Sequence, residues 1–157
     1  MKIKLDSSEQ SKIKDYAERM LEHKGENSSF KQSNYDDLTM DLIGYTGEYI
    51  VHKYFGKPFN WEFEQKKVQE DIIILYKDRA LGCDVKSSFI ADELRVPQWL
   101  LDQPSIDAFI LVKVERDFSG GEILGIISKE KFKGLARRKG KSFYVDSIVL
   151  NSIEEVV

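Results

Sequence analysis

Apolar positions in the first third of the chain recur at three- and four-residue steps. Ile13, Tyr16, Ala17, Met20 and Leu21 predict a helix that begins at Ser7 or Ser8, both good N-caps, and stops at Gly25. The polar stretch Lys24–Asn34 reads as a loop. Asp36 or Asp37 then caps a second helix whose apolar set is Leu38, Ile43, Ile50, Val51, Tyr54 and Phe55, with Gly56 and Pro58 ending it. Gly44 and Gly47 lie inside that helix at a cost in propensity, which predicts that another backbone approaches there.

From Asp71 the period shortens to two. "DIIILY" predicts a strand, "KDRA" a turn and "LGCDVKSS" a returning strand. "ELRVPQWLLDQP" holds a short strand and a loop. "DAFILVKV" and "EILGIIS" are two further strands across the turn "DFSGG". "SKEKFKGLARRKGK" predicts a short helix and a basic loop, and "SFYVDSIVL" a last strand. No repeat or linker interrupts residues 1–157, so one domain is expected. Its class is α/β or α+β: a central mixed β-sheet flanked by helices, with the two N-terminal helices against it.

The first hairpin raises a chemical question. With a loop of Asp78-Arg79, or of Lys77 to Ala80, Asp71 falls opposite Lys86 and Ile73 opposite Asp84. Opposed residues in a hairpin share a face. Asp71, Asp84 and Lys86 then gather on one face, while Ile72, Ile74, Tyr76, Leu81, Cys83 and Val85 form the other, which must be core. A three-residue loop would bury the charged set instead, which is costly. Two carboxylates at short range repel, and one tends to keep its proton. A divalent cation removes that conflict. Mg²⁺ takes one or two carboxylates and fills its shell with water and phosphate oxygens. Asp71 and Asp84 are the expected ligands, with the Val85 carbonyl as a third. Lys86 is placed to hold the attacking water and offset charge on a phosphate.

Composition narrows the setting. The chain has 157 residues, 41% hydrophobic and 32% charged, which is ordinary for a globular domain. The N-terminus carries no apolar run of the signal-peptide kind, and no stretch is long enough to cross a bilayer. Cys83 is the single cysteine, so no intrachain disulfide forms, and a cytoplasmic location is expected. Cys83 itself is expected to act as a small core hydrophobe.

Asp71, a hairpin turn, then Asp84-Val85-Lys86 resembles the PD-(D/E)XK nuclease superfamily, the restriction-endonuclease-like fold. The likeness spans Asp36 to Ser88. It departs from the family pattern in having Glu70, not proline, before Asp71. The family often carries a glutamate on the preceding helix, and "GYTGEYIVHKYFG" places Glu48 there. The resemblance implies metal or water binding by Glu48, metal binding by Asp71 and Asp84, and water activation by Lys86. It implies an Mg²⁺- or Mn²⁺-dependent nuclease acting on DNA, with RNA as the other substrate class. At this size it would be a phage, mobile-element or resolvase-like enzyme. Such nucleases often form homodimers, although no self-complementary surface is legible in the sequence. The contrasting expectation is a non-catalytic nucleic-acid- or partner-binding domain on the same fold.

A net charge of −3 excludes a polycation that coats nucleic acid, so any such contact needs a local patch. Lys129 to Lys141, with a local charge of +6, seven cations less Glu130, is either such a patch or a solvated helix face. Arg137, Arg138, Lys139 and Lys141 are the expected phosphate contacts, with Ser87 as a further donor. Ser88 either donates as well or simply ends the strand. Trp99, beside Gln98 and near Arg95, is a stacking candidate whose alternative is a place in the core. His52, one turn beyond Glu48, is read as structural.

Overall fold

The fold was analysed in a computed structural model, which describes residues 1–24, 36–62 and 70–156. The expected stop at Gly25 and the polar loop after it lie outside the described residues.

The chain opens with β1 (Lys2–Lys4) and α1 (Ser7–Lys24). Asp6, one residue ahead of the expected serines, caps α1. Its carboxylate accepts from the Glu9 N–H and Glu9 accepts from the Asp6 N–H, at 2.8 and 3.0 Å. Helix α2 (Asp37–Tyr54) is capped by Asp36, which accepts from Thr39 N–H at 2.7 Å.

Strand β2 (Ile72–Tyr76) turns into β3 (Arg79–Ser88). The turn is the pair Lys77-Asp78, both at positive φ, 48° and 62°, the tight two-residue form that matches strand twist. It lies one residue earlier than either expected loop, so Tyr76 pairs with Arg79 and Ile72 with Cys83. The predicted register therefore shifts by two, which leaves the faces unchanged. Ile72, Ile74, Cys83 and Val85 are buried, while Ile73 and Leu75 are exposed.

Next come β4 (Glu93–Pro97), the short α3 (Gln98–Leu101), β5 (Ala108–Val114), β6 (Gly120–Ser128) and α4 (Lys129–Leu135). The expected basic loop is instead β7 (Arg137–Lys139), which hairpins into β8 (Ser142–Asp146). A mixed five-stranded sheet has the order β1-β6-β5-β3-β2, with β3 and β5 parallel. A second sheet has the order β4-β8-β7. The molecule is thus mixed α+β.

Strand β5 is buried on both faces, and its alternation divides the interior. Ala108, Ile110, Val112 and Val114 join Ile43, Ile50 and Val51 of α2 in one core. Phe109 and Leu111 join Leu94, Val96, Leu100, Phe132 and Val145 in a second core under the smaller sheet. Helix α2 lies on the large sheet and α1 packs on α2. Gly47 is the expected point of close approach, although the neighbour is the Ser87 side chain and not backbone. Gly44 has open space around it, so that expectation fails there.

Candidate functional site

Asp84 lies on β3, 8% exposed, on the face shared with Phe109 and opposite α2. Lys86 Nζ stands 2.8 Å from Asp84 Oδ2. Among the described residues Lys86 is the one polar partner of Oδ2. Burial raises the Asp84 pKa, against the pull of Lys86. Lys86 keeps 31% of its side chain in solvent.

Asp71 sits at the bend before β2, outside the paired residues, and its backbone meets Cys83 and not Lys86. Its N–H donates to the Cys83 carbonyl at 2.9 Å, and its Oδ2 accepts the Val85 N–H at 2.7 Å. Asp71 therefore bridges the hairpin at its open end, with one oxygen already engaged. Val85 itself is buried on the α2 side.

Glu48 stands on α2, across the sheet from Asp84. Tyr45, three residues before it on the same helix face, has its pKa raised by burial and then by Asp41, Glu48 and Asp71. The structure does not gather Glu48, Asp71 and Asp84 into one ligand group, since among the described residues no three His, Cys, Asp or Glu side chains stand in such a cluster. The sequence argument missed Tyr45 because an aromatic at helical spacing reads as core. The outer wall of Asp71 is an open cavity of about 320 Å³, shared with His52, Lys57, Glu70 and Ile73. His52 Nδ1 lies 2.8 Å from the Glu48 carbonyl, so that nitrogen carries the donated proton. A larger cavity, about 420 Å³, is lined by Tyr76, Arg79, Asp107, Lys129 and Glu155 and contains none of the expected site residues.

Cys83 is fully buried, and its thiol is pushed up to about 12 by burial and then by Asp107, Asp71 and Asp84, so it is inert. Ser87 does not face solvent as a phosphate donor. Its hydroxyl oxygen is buried against Gly47, because β3 alternation turns it to α2 with Cys83 and Val85. Ser88 Oγ accepts from Ala91 N–H at 2.7 Å and ends the strand. Arg137, Arg138, Lys139 and Lys141 are all exposed, on β7 and its turn. Trp99 is 55% exposed, so it is not a core residue.

Compared with protein-family models, characterised proteins and solved structures, the chain matches none. No helix among the described residues is long and apolar enough to cross a membrane.

Proposed function

We propose that the chain is a small metal-dependent nuclease with a restriction-endonuclease-like core, hydrolysing phosphodiesters in DNA. One observation carries the reading: a buried carboxylate, Asp84, whose Oδ2 meets, among the described residues, only the ammonium of Lys86 two residues along the strand. A buried carboxylate with a single, partly solvated cation beside it is costly, and it is where a further cation would be accommodated. Asp71 across the hairpin and the parallel β3–β5 pair that follows support the same reading.

Asp84 and Asp71 would hold Mg²⁺ or Mn²⁺ with the Val85 carbonyl, a donor set that suits a hard cation. The bound ion would supply charge neutralisation and a more acidic water. Lys86, as an ammonium, would orient the attacking water and offset the charge that grows on the phosphate. Glu48 is left out of this ligand set, since among the described residues no three such side chains cluster.

Cleavage of supercoiled, single-stranded and branched DNA, with RNA as a second arm, tests this in Mg²⁺, Mn²⁺ or EDTA. Wild type should cut only with metal, and Asp84→Asn should not cut. Equal cleavage by Asp84→Asn, or none by wild type on any substrate, overturns the proposal. A melting point that rises with Mg²⁺ in wild type, and stays put in the Asp71→Ala, Asp84→Ala double variant, adds a readout independent of turnover. The second reading is a non-catalytic nucleic-acid-binding domain. It is favoured by the Asp71 oxygen already bound to Val85 N–H.

A further inference from the structure

The smaller sheet turns one face to the second core and the other to solvent. Leu94, Val96, Phe143 and Val145 face inward. The register then lines up Arg95, Tyr144 and Arg137 as one row across all three strands on the outer face. Lys139 lies on the same face, with Nζ 5.7 Å from the Tyr144 ring centre. The acids of this face, Glu93 and Asp146, pair at one end. Lys139 and the turn residue Lys141 lie toward the other, with Arg137 in the middle row, and exposed Trp99 stands two residues beyond the end of β4 on that side. Glu93 holds Arg95 at 2.7 Å and reaches Lys139 only at 4.0 Å.

Arg138 stands apart. It pairs with Phe143, its guanidinium carbon is 6.0 Å from that ring, and its Nε donates to Gly140 O at 3.0 Å. It covers an inward aromatic and fixes the turn.

A half-exposed aromatic between two arginines, in a sheet face polarised toward cations, offers a ring to a base and charges to its phosphates. A base in a duplex is already stacked and cannot reach the ring. We propose that this face binds single-stranded nucleic acid, stacking a base on Tyr144 and holding the backbone with Arg95, Arg137 and Lys139. The inference rests on the nuclease reading for its substrate class and names where the strand lies.

Binding of fluorescein-labelled dT12 and of a 12-base-pair duplex, measured in EDTA so that nothing is cut, tests it. Wild type should prefer the single strand. Tyr144→Leu should weaken binding about tenfold, and Tyr144→Phe should hold it. Arg95→Gln and Arg137→Gln should each weaken binding and lower the salt slope by about 0.7, while Arg138→Gln leaves both unchanged. Wild-type affinity in Tyr144→Leu, or an equal loss in Arg138→Gln and Arg137→Gln, overturns the stacking face. A protein that cuts DNA yet binds dT12 equally in every variant overturns it while the nuclease reading stands. The predicted binding pattern without cleavage supports the face and removes the nuclease.

Discussion

Burial couples the ionisation of Asp84 to the stability of the fold, against the pull of Lys86. Its folded-state pKa lies above the ordinary 3.8. Between 3.8 and that raised value the native state keeps a proton the unfolded chain has released, so stability falls as pH rises through the window. Asp84→Asn should remove that fall and be the more stable protein at neutral pH, although Lys86 then loses its partner to water. Urea unfolding of both proteins from pH 4 to 7 checks this, and parallel curves would sink it. Glu9 acts in the opposite sense. Burial raises its pKa, but hydrogen bonds from Lys53 and Tyr49 outweigh that and bring it from 4.5 to about 2. Its contribution is present above pH 4.5 and is lost toward pH 2. Lys86→Ala leaves Asp84 buried without a cation, so the metal-free protein should melt lower and added Mg²⁺ should restore it. If Lys86 also acts on the phosphate, cleavage drops by a factor on the order of 10² while DNA binding holds. A variant that cuts at the wild-type rate would leave Lys86 only its charge-balancing role.

At the scale of elements, the seat of α2 on β3 depends on one missing methyl group. A Cβ at position 47 would overlap the Ser87 hydroxyl and crowd its Cβ. Gly47→Ala should cost about 1–3 kcal/mol through overpacking. Gly44→Ala meets nothing and should gain about 0.5–1 kcal/mol from helix propensity alone. Thermal melts of the two variants should move in opposite directions, and a shared direction would contradict this packing. The sequence argument reached Gly47 through propensity, but propensity cannot tell a crowded glycine from a free one. Its account of the hairpin was right in faces and wrong in register for a related reason. Asp84 and Lys86 alternating with Cys83 and Val85 specify the faces of β3, and pairing passes them to Ile72–Tyr76, whose unbroken apolar run has no alternation of its own. The turn, however, uses Lys77 and Asp78 at positive φ, without the glycine that marks such a turn. Strands β1 and β7 were illegible because each is three residues long: Lys-Ile-Lys is too short for its alternation to register, and Arg-Arg-Lys has none. Asp84 beside Lys86 was legible from adjacency on one strand face. The separation of Glu48 from that pair was not, because it depends on which face of the sheet α2 covers.

Across the whole molecule, β5 is the wall that two cores share, and no local pattern in the sequence announces the second one. The run "AFILVKV" reads as a buried strand, but that β4 and β8 meet over its far face is a matter of distant pairing. Because alternate residues of one strand serve both cores, neither should survive the loss of the other. Phe109, fully buried and 5.3 Å from the Phe132 ring, anchors the second core only. Phe109→Ala should cost about 3–5 kcal/mol. The two tryptophans report on opposite sides: Trp61 packs against the first core, and Trp99 sits on α3 beside buried Leu100 and Leu101. With Trp61→Phe and Trp99→Phe as single-probe backgrounds, Phe109→Ala should lower both transitions by the same amount and keep them coincident. If the Trp99 signal moved to lower denaturant while the Trp61 signal stayed, the smaller sheet would be a separately melting unit. The proposed nucleic-acid face would then ride on a part of the molecule able to open without disturbing Asp84, Lys86 or α2. Coincident transitions tie that face and the hairpin carboxylates into one cooperative structure.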